Sequence, residues 1–168
     1  RKALAVSKND TSARELLGIA LFNRRIDFNR RGLRDEARRS LDDACQIFKE
    51  AYELSPRDPR LSEIRAACLN QQSAYFRSAD TRLKAEAMLD EAERSLKENT
   101  LFDPTHTMSA AQLALTYAKR ASLINMLEPQ SVRIGVLKLQ AIEQITRALA
   151  IEGGVVSAAS ILEDAYDT

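Results

Sequence analysis

The feature that most constrains the fold of this chain is an internal repeat with a period of about 48 residues. The run LDDA at 41–44 matches LDEA at 89–92, and Pro56 matches Pro104. We call this shift, from position 41 to position 89, the repeat interval. Three further series obey it, namely Gly18, Ala66 and Ala114, then Leu21, Leu69 and Tyr117, and then Phe28, Phe76 and Ile124. Repeats of this size stack on their neighbours and bury a shared core. We therefore predict one domain, 1–168, with repeats at 10–57, 58–105 and 106–153 and a capping helix within 154–168.

Helix start and stop signals predict that each repeat is an antiparallel pair of helices. Asp-Pro at 58–59 and at 103–104 places a capping Asp before a Pro suited to the first turn, and Ser12 with Glu15 is typical of a capping box. Gly32 ends the first helix. We expect helices at about 12–31, 33–54, 59–78, 80–99, 104–127, 130–152 and 155–166. The predicted fold class is thus all-α, with three stacked helical hairpins and a capping helix. The residues of that last helix expected to cover the end of the stack are Val155, Val156, Ala159, Ile161 and Leu162.

The series Gly18, Ala66 and Ala114 predicts where the two helices of each repeat touch. Close helix–helix approach needs a small residue with a large apolar one beside it. Phe48 and Leu96 are related by the repeat interval, and Ile145 follows Leu96 by one residue more than that interval. The alternative interpretation is a plain helical bundle whose segments resemble one another by accident.

Composition excludes several classes of protein. The chain has only five Gly, four Pro and few β-branched runs, which argues against an all-β fold. It also contains no stretch of about 18 uncharged apolar residues, the length that a membrane-spanning helix needs. Cys45 and Cys68 lie in apolar-periodic segments, so we expect core thiols in the reducing cytoplasm, with a redox pair as the alternative. The chain begins at Arg1 without a signal peptide, and we expect it to be a piece of a longer protein.

The repeat resembles the tetratricopeptide repeat, whose signature is Trp-x2-Leu-Gly-x2-Tyr, then Ala-x3-Phe, then Pro. The first repeat supplies Leu17-Gly18-x2-Leu21, then Ala44-x3-Phe48, then Pro56. The third supplies Leu113-Ala114-x2-Tyr117 and Ala141-x3-Ile145, and the second keeps Ala92-x3-Leu96 and Pro104. Two departures are Arg14 in the place of Trp and a unit about 14 residues longer than the usual 34, so the chain resembles an elongated, degenerate member or a relative of that family.

The resemblance implies a scaffold whose first helices line a concave groove for a peptide or partner helix. Carried onto this sequence, the groove face comprises Glu15, Ile19, Phe22, Asn23, Ile26, Asn70, Gln71, Ala74, Leu115, Ala118, Lys119 and Ser122. The side-chain amides of Asn70 and Gln71 can donate hydrogen bonds to an extended ligand and accept them from it, and Phe22 is a candidate apolar anchor. The alternative is that Phe22 and Ile26 belong to the core and that Asn70 and Gln71 are solvated.

A basic patch is predicted at the tip of the first hairpin. Its members are Arg24, Arg25, Arg30, Arg31, Arg34, Arg38 and Arg39. Such a patch can bind an acidic partner surface or nucleic acid. Pairs such as Asp35 with Arg39 also fit an exposed face that serves solubility, and the lack of interleaved aromatic residues makes nucleic acid the weaker candidate.

The sequence has few residues or motifs that are typical of a catalytic, cofactor or metal site. His106 is the single histidine and falls at a helix start, and the sequence has no phosphate-binding Gly-rich loop, no Gly-x-Ser-x-Gly and no HExxH motif. We therefore expect no enzyme activity, no cofactor and no metal site. The predicted function is protein–protein interaction, as a regulatory module of a larger chain. The alternatives are binding of nucleic acid or an acidic partner through the basic patch, and self-association as a homo-oligomer.

Overall fold

All regular structure in the described part of the chain is helical. The computed structural model describes residues 10–76 and 78–151, apart from the side chain of residue 79. The helices are α1 (Thr11–Arg30), α2 (Arg34–Leu54), α3 (Pro59–Ser73), α4 (Arg82–Phe102), α5 (Thr107–Leu127) and α6 (Arg133–Ala150), and a 3-10 turn at Ala79–Thr81 precedes α4. The all-α prediction is confirmed. The predicted capping helix lies outside the described residues, and within them no helix is long and apolar enough to cross a membrane.

The helices start at regular intervals. Those that open the three predicted repeats begin at Thr11, Pro59 and Thr107, each one repeat interval after the last, and α2 and α4 begin at Arg34 and Arg82, which are related in the same way. The core positions of α2 and α4 recur likewise. At most 2% of the surface is exposed for each of Ala37, Leu41, Ala44 and Phe48 and for their counterparts Ala85, Leu89, Ala92 and Leu96. The interval seen in the sequence is therefore also the interval of the helix starts and of this buried face.

The N-terminus of α1 is capped by Asp10, which lies one repeat interval before the capping Asp58 and is confirmed as a predicted cap. Asp10 is the N-cap, and its Oδ1 accepts a hydrogen bond from the backbone N–H of Ala13 at 3.0 Å. Glu15 instead forms an ion pair with Arg60 at 2.7 Å, so the predicted capping box at Ser12 is wrong. The end of α1 agrees with the prediction, because Gly32 follows with a φ of 74°, in the left-handed region that glycine adopts readily.

The two Asp-Pro signals have different outcomes. At 58–59 the helix begins at the proline, and Asp58 Oδ1 accepts from the N–H of Arg60 at 2.9 Å. At 103–104 it does not, since Asp103 ends α4 and α5 begins only at Thr107. Other predicted bounds also shift by a few residues. α3 ends at Ser73 instead of 78, α4 spans Arg82–Phe102 instead of 80–99, and α6 begins at Arg133 instead of 130.

The described chain divides within α3 into two compact units, unit 1 up to Cys68 and unit 2 from Leu69. The prediction that they belong to a single domain stays a prediction. The core of unit 1 is built around Phe48 of α2, which clusters with Leu41, Ala44 and Cys68. Gly18 of α1 lies against the Phe48 ring so closely that a Cβ there would be 2.4 Å from Phe48 Cε1. The small residue predicted at this helix contact is therefore a steric requirement.

The two cysteines are core thiols. Cys68 is fully buried, and Cys45 packs against the same cluster. Burial raises the pKa of the Cys45 thiol well above its ordinary value, and the hydrogen bond with Cys68 raises that pKa further. Thiols held in the neutral form react slowly.

Unit 2 contains a buried polar link between α3 and α5. The Asn70 side chain has no exposed surface, and its Nδ2 donates to Thr116 Oγ1 at 3.0 Å. The Thr116 hydroxyl donates in turn to the backbone carbonyl of Gln112 at 2.9 Å. Apolar contacts surround α5 on other sides, where Leu123 clusters with Ala85 and Leu89 of α4. The link therefore joins the part of α3 that belongs to unit 2 to the middle of α5.

A charged network joins α4 to α5 around Glu93. Arg120 lies 3.0 Å from Glu93 and 2.7 Å from Asp90, and Lys97 lies 2.6 Å from Glu93. The hydroxyl of Tyr117, a residue with only 4% of its surface exposed, donates to Glu93 at 3.3 Å. Burial raises the pKa of Tyr117, the charge of Glu93 raises it further, and Lys97 opposes the shift.

The raised pKa of Tyr117 predicts a loss of stability in alkali. Unfolded tyrosine ionises near pH 10, whereas folded Tyr117 keeps its proton to higher pH, so this contribution is complete below about pH 10 and is lost as the pH rises through the folded pKa. We expect the free energy of unfolding of the native chain to fall more steeply above pH 10 than that of Tyr117→Phe. Urea unfolding across the alkaline range measures both slopes, and equal slopes would contradict the expectation.

Candidate functional site

Unit 2 has a shallow surface depression along α5, which we call the α5 depression. It is open to solvent, and its lining residues are Ser73, Ala74, Leu89, Lys119, Ser122, Leu123 and Met126. The four residues from α5 follow the spacing i, i+3, i+4 and i+7, which places them on one helix face. Ser73 and Ala74 at the end of α3 and Leu89 of α4 complete the lining.

The lining of the α5 depression combines an apolar floor with a polar rim. Leu89 and Leu123 are buried and supply the apolar floor, whereas Ser122 and Met126 are exposed. Lys119 supplies the one ionisable group of the lining. This arrangement suits an apolar side chain with polar or acidic neighbours. The floor accepts the apolar side chain, the Lys119 ammonium group can donate hydrogen bonds to an acidic neighbour, and the serine hydroxyls can donate to or accept from a polar one.

Three residues predicted for the groove come together in this depression. Ala74, Lys119 and Ser122 all line it. Gln71 and Ala118 are half-buried outside the lining, and Leu115 is buried. Asn70 is different, because its amide is fully buried against Thr116 and has no surface to offer a ligand. Asn70 therefore lies in the interior of unit 2 and not on the predicted groove face.

The residues predicted for the groove in unit 1 are divided between core and surface. Ile19 and Phe22 pack against the cluster around Phe48, whereas Asn23 and Ile26 are exposed. Glu15 is engaged by Arg60. The anchor predicted at Phe22 thus has part of its surface in the core of unit 1.

The basic patch lies at the joint of α1 and α2. Arg25 is half-buried with its guanidinium 4.6 Å from the centre of the Phe22 ring, and Arg24 lies 4.9 Å from that of Phe28. The exposed members are Arg24, Arg30, Arg31, Arg34, Arg38 and Arg39. Asp27 forms an ion pair with Arg30 of the patch, with 4.0 Å between the guanidinium nitrogen and the carboxylate oxygen. Binding of an acidic partner or of nucleic acid here stays a prediction.

Within residues 10–76 and 78–151, no cluster of three or more His, Cys, Asp or Glu side chains is placed to hold a metal ion. His106 is the N-cap residue of α5, and its Nδ1 lies 3.4 Å from Ser109 Oγ.

Sequence reasoning missed the floor of the α5 depression. Leu89 is part of the repeated run at 89–92, and Leu123 and Met126 continue the helical spacing from Lys119. That spacing was the available signal, since it places all three α5 residues on one face. A scan of protein-family models and a search of curated proteins found no match to the chain, so the case for the site rests on its geometry.

Proposed function

We propose that this chain is a non-catalytic protein-interaction module and that the α5 depression binds a peptide or one face of a partner helix. The observation that carries the proposal is the gathering of Ala74, Lys119 and Ser122 around an apolar floor. Recurring peptide-binding modes use such a surface, in which a groove on a rigid helical scaffold accepts an apolar anchor.

The proposed scaffold is a stack of helical hairpins related to the tetratricopeptide repeat. It is supported by the repeat interval that separates the starts of α1, α3 and α5 and by the matching burial along α2 and α4. It is also supported by the small residues Gly18, Ala66 and Ala114, all of which are buried. Arg14 in the place of Trp and the longer unit make this an unusual relative of that family.

A substitution at the rim tests the proposal. The probe is a peptide selected on the native chain from a displayed random library. Ser122→Arg places a bulky cation over the depression. We expect it to lower the affinity for the selected peptide at least tenfold, a loss of about 1.4 kcal/mol of binding free energy. Affinity is measured by calorimetry or fluorescence anisotropy.

Ala87→Arg is the matched control, because it adds the same side chain at an exposed position of α4 outside the lining. It should leave the affinity unchanged. The proposal fails if the library yields no binder, or if both variants reduce the affinity equally.

A further inference from the structure

α6 carries a second apolar face besides the one that it buries. Its buried residues are Ile134, Leu137, Ala141 and Ala148. A separate set on or just before the helix is between 41% and 86% exposed, and we call it the α6 stripe: Val132, Val136, Leu139, Ile142 and Leu149. These are five of the fourteen large apolar residues exposed in the described part of the chain, so the concentration on one helix is unusual.

Four members of the α6 stripe, Val132, Leu139, Ile142 and Leu149, follow the spacing of a coiled-coil seam, and Val136 lies beside that seam. Val132, Leu139 and Thr146 are seven residues apart, and Gly135, Ile142 and Leu149 are seven residues apart and follow them by three. These are the a and d positions of a heptad repeat, which meet along the line of contact between two helices. Such a seam is buried when a second helix packs along it.

We propose that the α6 stripe packs against the α6 stripe of a second copy, with the two helices antiparallel about a two-fold axis. This proposal is independent of the α5 depression. The axis would pass midway between Gln140 and Ala141. Positions equally far from that midpoint then face each other, so Leu139 meets the second copy's Ile142, and Val132 meets its Leu149.

The pairing brings apolar residues together at the centre and at both ends of the seam. Large residues oppose large ones at Leu139 with Ile142 and at Val132 with Leu149, and the small Gly135 opposes Thr146. A shift by one heptad would leave Leu149 or Val132 without an apolar partner. The symmetric register therefore buries the most apolar surface, and an isologous contact of this kind closes on itself as a dimer.

The area of the α6 stripe is sufficient for a specific dimer. Its five apolar residues expose on the order of 500 Å² per copy, at the upper end for apolar patches on monomers. Complete burial of both stripes would remove at most about 1,000 Å², the lower limit for a specific interface. Lys138 flanks the seam, where its stem can cover the second copy's Ile145 while its ammonium group stays in water.

The mass of the full chain in solution tests the proposal. We expect a reversible monomer–dimer equilibrium in sedimentation experiments between low and high micromolar concentration. Leu139→Glu places a charge at the centre of the seam and should weaken the dimer at least a hundredfold. Leu83→Glu is the matched control, because Leu83 is 77% exposed on α4, outside the stripe, and this variant should dimerise like the native chain.

Cross-linking tests the register. Copies carrying Leu139→Cys are mixed with copies carrying Ile142→Cys, and we expect a disulfide-linked dimer in the mixture well in excess of either variant alone. The native thiols compete little, since Cys68 is buried and the pKa of Cys45 is raised. A native chain that stays monomeric at every concentration overturns the proposal, whatever else covers the stripe. Equal dimerisation of native chain and Leu139→Glu, or no preference for the mixed cross-link, overturns it as well.

Discussion

Gly18→Ala is expected to lower the free energy of unfolding by about 2 kcal/mol, the usual scale of overpacking in a closed core. Helix propensity alone would predict the opposite, since Ala is favoured over Gly by about 1 kcal/mol in a helix. The added Cβ would lie 2.4, 2.7 and 2.8 Å from three atoms of the Phe48 ring. That ring is 2% exposed and enclosed by its cluster, so it has little room to move away.

The repeat itself indicates how the clash can be relieved. One repeat interval further along the chain, Gly18 and Phe48 correspond to Ala66 and Leu96, so a larger residue at the first position accompanies a smaller one at the second. Phe48→Leu alone should cost about 1 kcal/mol because it leaves unfilled space. In the double variant the new methyl group occupies part of that space. We therefore expect the double variant to lose less stability than the sum of the two single variants.

Urea unfolding of the four chains measures this coupling, and Gly135→Ala serves as the control. Gly135 lies in α6 with nothing within 4 Å of an added Cβ, so the same substitution should there be neutral or stabilising in dilute solution. Strict additivity of Gly18→Ala and Phe48→Leu would contradict the packing of Gly18 against Phe48.

The fold was predictable where one local signal decides the outcome. The apolar spacing of 33–54 predicts α2, Arg34–Leu54, almost to the residue. A long amphipathic pattern defines a helix along its whole length, so the capping residues at its ends matter little to the prediction. The second Asp-Pro signal failed because of its neighbour. Thr105 donates to Asp103 Oδ1 from both its backbone N–H, at 2.9 Å, and its hydroxyl, at 2.6 Å. Those bonds stabilise a turn after α4, whereas Arg60 at the corresponding position has no hydroxyl and continues the helix.

The candidate site was less predictable, as Asn70 and Gln71 illustrate. The two are adjacent polar residues on one helix, about 100° apart around its axis, and either could face a groove. The choice depends on Thr116, which is 46 residues away in sequence and receives the Asn70 hydrogen bond. Such a partnership between distant residues leaves no trace in local periodicity. The same limit applies to the floor residue Leu89, whose place beside α5 depends on how α4 packs.

Asn70→Asp is expected to produce the largest loss of stability, about 3 kcal/mol or more at neutral pH. The substitution keeps the shape of the side chain but puts a carboxylate into a position with no exposed surface. Thr116 can turn its hydroxyl toward one carboxylate oxygen only by giving up its bond to Gln112. The native Oδ1 has no hydrogen-bond partner in the described chain, so the second oxygen would lack a donor as well.

The pH dependence of this loss identifies its cause. Burial raises the pKa of the new carboxyl above its ordinary value near 4, so the loss relative to the native chain should vanish below about pH 4 and grow as the pH rises through the folded pKa. Thr116→Val is the control, because it removes the hydrogen-bond partner without adding a charge and should cost about 1 to 2 kcal/mol at every pH. Urea unfolding of both variants between pH 4 and about 8 separates a charge effect from a hydrogen-bond effect. A small loss for Asn70→Asp that does not change with pH would mean that the side chain reaches water, and would restore Asn70 to the groove face that the sequence predicts.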